Sequence, residues 1–241
     1  SQSGGSAEIL KLLEIDAGSF VLGVTNSASG QLARKSDLTL LMQAGTEHSV
    51  SCKTYVAGML ILQWLSALLS GSGEYETLHR LAPALGLVED YLRDWREHTD
   101  TLALRLHGVR HVFLAGRGGS LAAAGTGALI IKESARLHAE GMSSAAFRHG
   151  PMEMLNDQMW LGIFGGDVRT RELNLRLARE LVARGAGCDI IDPESACRPL
   201  RLPECSPQVL PILEILPMQM MTLALAGLSG REAGQFEHAN K

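Results

Sequence analysis

The chain has 241 residues, 46% of them apolar and only 5% aromatic, enough to fill one large or two small globular cores, which excludes a disordered chain. Its 22 basic and 26 acidic residues are scattered and leave a net charge of −4, so no basic field is present to hold a nucleic-acid backbone. No apolar run approaches the roughly 20 residues needed to cross a bilayer, no signal peptide is recognisable, and a cytoplasmic location is the expectation.

Cys52, Cys188, Cys197 and Cys205 have spacings that match neither a zinc site nor a disulfide framework, so reduced thiols are expected. The opening Ser1-Gln2-Ser3-Gly4-Gly5-Ser6 begins without methionine and without an element to support so polar a loop, which points to residues upstream.

In chain order, Ile9, Leu10, Leu12 and Leu13 recur at helical spacing, and the first helix runs from Ser6 to about Glu14. Phe20–Thr25 and Leu38–Met42 read as short buried parallel strands. A long apolar helix follows over Val50–Leu69, and a second from Tyr75 to His98 carries charges on one face and leucines on the other. The pattern then restarts. Val109–Ala115 is a strand, Gly116–Ser120 a glycine turn and Leu121–Glu140 a helix. A further cycle gives strands at Met159–Phe164 and Cys188–Ile191 around a helix over Arg169–Arg184. A very short edge strand at Leu200–Leu202 then precedes a last helix, Val209–Leu228, which Pro211 and Pro217 complicate. Strands alternating with helices predict an α/β fold with parallel sheets, and the restart predicts two domains, residues 1–100 and 101–241.

The opening loop offers the hydroxyls of Ser1, Ser3 and Ser6 beside glycine amides, directly before a helix N-terminus that favours an anion. Spacing leaves two readings open, a phosphate cradle and simple helix capping. The turn Gly116-Arg117-Gly118-Gly119-Ser120 fails the full dinucleotide pattern and reads better as a tight strand-to-helix turn. Lys132, Glu133, Arg136, His138, Glu140, Arg148 and His149 form a polar cluster that could transfer protons or be a solvated, ion-paired helix face. It holds no metal motif, because His138 lacks a second histidine at helical spacing.

Taken together, SQSGGS, NSASGQLARKSDLTLLMQAGTEHSVSCKTY, IIKESARLHAEGMSSAAFRHGPMEML and the tail FEHANK resemble the isomerase half of the glucosamine-6-phosphate synthase family, built from sugar-isomerase (SIS) domains. The resemblance spans nearly the whole chain and implies two SIS domains, each a parallel sheet flanked by helices, the first truncated at its N-terminus. It implies sugar-phosphate contacts from Ser1, Gln2, Ser3 and Ser6, with Val50, Ser51 and Cys52 lining the sugar. Glu133 aligns with the base that moves a proton between C1 and C2, His149 with a ring-opening histidine that reaches the site across a homodimer, and Lys241 with a tail lysine that engages the open-chain carbonyl.

No metal and no organic cofactor are implied. Ile130 and Cys52 depart from the lysine and serine usual in the family, and the glutaminase domain of the synthase is not recognisable. The resemblance therefore leaves open a glucosamine-6-phosphate deaminase, a ketohexose-phosphate isomerase or a fructosamine-phosphate deglycase of the same fold. In another class it leaves a non-catalytic phosphosugar-binding regulator.

Overall fold

A computed structural model describes residues 1–15 and 18–238. Packing divides the chain into two compact units, Ser1–His79 and Arg80–Lys241. In the first, α1 (Ala7–Ile15), β1 (Leu22–Thr25), α2 (Gln31–Lys35), β2 (Leu38–Leu41) and α3 (Lys53–Leu69) follow in order. β1 and β2 pair in parallel, Leu22 opposite Leu38 and Thr25 opposite Leu41. The expectation of two buried strands holds only in part for β1, where Gly23 and Thr25 are buried, Leu22 and Val24 half-buried and Phe20 lies outside the strand and 73% exposed, and it fails for β2, where Leu38 and Leu41 are 48% and 39% exposed. The two strands form a sheet of their own, so neither is flanked on both edges.

The helix expected over Tyr75–His98 is three helices, α4 (Glu74–Leu81), α5 (Pro83–Arg93) and α6 (Trp95–Arg105). Pro83 starts α5, where its missing N–H costs nothing but its ring prevents continuation of α4. Asp94, at φ −102° and ψ 23°, breaks the helical path between α5 and α6. Both of these helices pack on the last helix of the second unit.

The second unit continues with β3 (His111–Gly116), α7 (Ser120–Ala135), β4 (His138–Ser143), α8 (Ser144–Arg148), a 3-10 turn at Pro151–Met154, β5 (Met159–Phe164), α9 (Arg171–Ala183), β6 (Gly187–Ile191), a second 3-10 turn at Arg198–Leu200 and α10 (Leu210–Leu228). Its four strands are all parallel in the order β4-β3-β5-β6.

The helix expected to reach Glu140 stops at Ala135, because Arg136 turns left-handed at φ 53°, and residues 138–143 pair with β3 instead. This edge strand admits α7 closely. A Cβ on Gly141 would stand 2.3 Å from the Ala124 carbonyl oxygen, so only glycine fits. The edge strand expected at Leu200–Leu202 reduces to the 3-10 turn and a single bridge between Asp192 and Arg201.

Both faces of the second sheet are covered, as expected of a parallel sheet. Phe113, Ala115, Leu161 and Ile163 form one face, packed with Phe147 of α8 and Leu177, Ala178 and Leu181 of α9. On the opposite face Leu114 lies against Gly127 of α7 and Met218 of α10. Contrary to the sequence expectation, α10 is long and apolar enough to cross a membrane by length and composition. In the fold 78% of its apolar window is buried, which makes it the core helix of this unit.

Candidate functional site

In the first unit the Ser1–Ser6 segment runs along β1. The Ser1 nitrogen donates to the Val24 carbonyl at 3.0 Å, and the Gln2 carbonyl accepts from Asn26 N–H at 3.0 Å and from the Thr25 hydroxyl at 3.2 Å. Gly4 then turns the chain at φ +66°, where a Cβ would meet Thr25 Oγ1 at 3.0 Å and Leu32 Cβ at 3.2 Å. The turn has both reasons for glycine, a left-handed backbone and no room for a side chain. The Ser3 hydroxyl accepts from Gly5 N–H at 3.3 Å, and the Ser6 carbonyl closes the first turn of α1 through Leu10 N–H at 3.1 Å. Ser1, Gln2, Ser3 and Ser6 all remain exposed at the head of this helix.

Val50, Ser51 and Cys52 are half-buried in the approach to α3. Sequence reasoning missed the two residues that shape this approach. Glu47 caps α3: its Oε2 accepts from Cys52 N–H at 3.1 Å, Thr54 N–H at 2.8 Å and the Thr54 hydroxyl at 2.8 Å. A carboxylate at a helix N-terminus satisfies free amides and opposes the helix dipole. Asn26 is the second. Its backbone N–H holds Gln2, its Nδ2 donates to Gly45 O at 2.8 Å and its Oδ1 accepts from Ala44 N–H at 2.9 Å. One residue thus knits the serine loop to the loop that leads into Val50–Cys52. The signal for Glu47 was its place in the AGTEHSVS stretch; that for Asn26 was only its position after a strand.

Removing the Glu47 carboxylate leaves three donors without an acceptor. Glu47→Ala is expected to lower stability by about 1–2 kcal/mol, read from urea unfolding, and to speed amide exchange at Thr54. Unchanged exchange at Thr54 would show that the cap is not formed.

In the second unit Glu133 is half-buried in the last turn of α7, and Lys132 beside it is exposed. Ile130, one turn earlier, is 1% exposed and belongs to the core. His149 ends α8, with its N–H donating to Ala146 O at 3.0 Å, and is exposed ahead of Gly150. Arg148 beside it pairs with Glu180 of α9 at 2.6 Å. The polar cluster seen in the sequence is therefore divided. Glu133 rides on the helix that covers the Leu114 face, whereas His149 follows the helix that covers the Phe113 face, so the sheet stands between them. His138 also lies on the Phe113 side, with its ring 6.1 Å from Phe113 and its Nε2 3.4 Å from Glu140 Oε1. Lys241 lies outside the described residues.

A polar core at the carboxyl ends of the strands was not anticipated. The Ser120 hydroxyl donates to Glu214 Oε1 at 2.7 Å, and Glu214 is fully buried with Oε2 lacking a hydrogen-bond partner. Burial pushes its carboxyl up to about 8, with the Ser120 bond opposing and nearby Asp167 adding to the shift. Asn174, also fully buried, donates to Gly165 O at 3.0 Å and accepts from the Ser144 hydroxyl at 2.9 Å, which fixes the turn after β5. A cavity of about 570 Å³ opens next to that turn, lined by Gly166, Asp167, Arg171, Glu204, Cys205 and Leu210. None of the described residues expected to form a site lines it. Burial raises the Cys205 thiol to about 11 and that of Cys188 to about 12, which leaves both as poor nucleophiles.

Residues 105–195 match the SIS domain family. The glutamine–fructose-6-phosphate aminotransferase (isomerizing) of Thermococcus kodakarensis is 30% identical over 246 residues, covering 96% of this chain. The chain spans 41% of the length of that relative. Among solved structures, the C-terminal domain of glucosamine-fructose-6-phosphate aminotransferase from Francisella tularensis superposes with a TM-score of 0.83 at 22% identity, covering 98% of this chain and 72% of that one. Glucosamine-6-phosphate deaminase from Thermotoga maritima gives 0.76 at 18%, covering 100% and 72%.

Proposed function

The chain carries a SIS domain over residues 105–195, and from that premise we propose that it is the isomerase part of an enzyme of the glutamine–fructose-6-phosphate aminotransferase type. In this reading it binds a phosphosugar and interconverts fructose 6-phosphate plus ammonia with glucosamine 6-phosphate plus water, a proton moving between C1 and C2 of the sugar. The observation that carries the reading is the relationship to an isomerizing aminotransferase over 96% of the chain. Both compact units are then SIS domains.

The chemistry divides among the residues as follows. The phosphate sits on Ser1, Gln2, Ser3 and Ser6, where hydroxyls and the head of α1 favour an anion, and Val50, Ser51 and Cys52 line the sugar. His149 assists ring opening, and Lys241 takes the open-chain carbonyl as an imine with loss of water, from which ammonia displaces the lysine and leaves its nitrogen on the sugar. Glu133 removes the proton from one carbon and returns it to the other, through an enolamine or enediol in which the electron pair stays on the sugar.

The separation of Glu133 and His149 by the sheet supports a homodimer with shared sites, since one chain does not offer both to one ligand. Mixing Glu133→Gln and His149→Ala protomers, each inactive alone, is expected to restore about a quarter of wild-type turnover, because half the dimers are mixed and each holds one intact site. No recovery on mixing would overturn the shared site.

An NMR assay of the full-length protein tests the reading. Glucosamine 6-phosphate, and separately fructose 6-phosphate with glutamine or ammonium, are followed for product. Conversion with nitrogen transfer supports the aminotransferase type, and ammonia release from glucosamine 6-phosphate alone supports a deaminase, an activity found on this fold. Turnover of fructosamine phosphates alone would favour a deglycase. Binding without turnover of any of them would favour a phosphosugar-binding regulator.

A further inference from the structure

We propose that Arg136 and Glu237 form a clasp that holds the C-terminal tail at the Glu133 end of α7, which makes Arg136 a positioning residue for the isomerase reading on which this inference rests. Two independent observations lead there. The first is the register of the core helices. Gly119 lies against Pro211, Ser120 bonds Glu214 and Gly127 lies against Met218, so α7 and α10 run side by side in the same direction. Continued at 1.5 Å per residue, that register brings Glu133 level with the last turns of α10. The tail that begins after Leu228 therefore leaves the helix beside Glu133, not at the far edge of the sheet.

The second observation is the ion pair itself. Arg136 sits directly after α7, three residues beyond Glu133, and its guanidinium pairs with the Glu237 carboxylate of the tail. Its backbone is left-handed at φ 53° and ψ 35°, a conformation that glycine or asparagine normally fills at a helix end. An arginine there carries a conformational cost that a glycine would not. The Arg136 side chain is 28% exposed and that of Glu237 54%, so the pair biases the docked tail without locking it. That suits a segment whose terminal residues must meet substrate and then let product go.

The charge pair is tested in the full-length enzyme by Arg136→Glu, Glu237→Gln and the exchange Arg136→Glu with Glu237→Arg. Hydrogen exchange of the peptide spanning residues 232–238 reports the tail without reference to activity. Either single variant is expected to speed that exchange and to lower kcat about 5-fold with KM for the sugar phosphate little changed, and the double variant to recover most of both. Glu237→Gln alters only the tail and keeps the test open should Arg136→Glu fold poorly. Unaltered tail exchange in Glu237→Gln would overturn the clasp. Faster exchange with unaltered kcat would overturn the positioning role. If the wild-type protein turns over no sugar phosphate while its tail exchange still follows the charge pair, the isomerase reading fails and the clasp stands.

Discussion

Glu214→Gln is expected to abolish most of the loss of stability expected of the wild-type protein between pH 7 and pH 8. Glu214 is fully buried, bonded to Ser120 through one oxygen only, and its carboxyl is raised from 4.5 to about 8. Below pH 4.5 the group is protonated in both folded and unfolded chains and its contribution is complete. As pH rises from there the unfolded chain gives up its proton and the folded chain keeps it, so stability falls until the folded group also titrates near pH 8.

The full span of that shift corresponds to something on the order of 3–5 kcal/mol. His98, whose imidazole burial holds below its ordinary value, works in the opposite sense, losing stability as pH falls through the acid range. Between pH 7 and pH 8 the carboxyl dominates the loss: the thiols that burial raises above 9.0 ionise in the unfolded chain mainly above that range, and the Ser1 amino group, held below 8.0 by burial, acts in the opposite sense. The measurement is the urea midpoint of wild type and Glu214→Gln at intervals from pH 6 to pH 8. Parallel curves would mean that the carboxyl is already ionised in the folded protein.

The same residue shows where the sequence was legible and where it was not. Alternating strands and helices, glycine turns and the restart near residue 109 are local signals, and they located β3, β5, β6, α9 and α10 to within a few residues. β4 escaped because the helical run before it ends on an arginine in a left-handed conformation, which no composition rule anticipates. His138–Ser143 then looks helical only because its register with β3 is a long-range fact. Pro83 was in plain view as a helix start, and the continuous leucine face concealed the break it makes between α4 and α5.

In the proposed site, the serines and Glu133 are assigned from their motifs alone. Asn26, Glu47, Asn174 and Glu214 act by bonding to backbone or side chains that come together only on folding. A buried glutamate inside an apolar helix such as α10 is the exception that could have been flagged, since carboxylates are rarely found fully buried.

Glu133→Gln is expected to abolish exchange of the sugar-phosphate C1 and C2 protons with solvent while leaving binding of the phosphosugar intact. The amide keeps the size of the carboxylate and the half-buried setting of the side chain on α7, and it removes only the capacity to accept a proton. General-base catalysis of this kind contributes about 100- to 10,000-fold, so turnover and exchange should both fall by that factor. Affinity for the substrate, measured by calorimetry, should change by less than about threefold, because in the isomerase reading the phosphate is held by the serine loop, a separate part of the site.

The distinction from a tail or dimer defect is the exchange of the bound sugar. A variant that merely misplaces the tail still labels C2 from deuterated solvent at a reduced rate, whereas one without the base does not label it at all. Retained labelling in Glu133→Gln would move the base assignment to another side chain. Loss of binding together with loss of labelling would mean that Glu133 holds the sugar, and the proton-transfer role would have to be withdrawn.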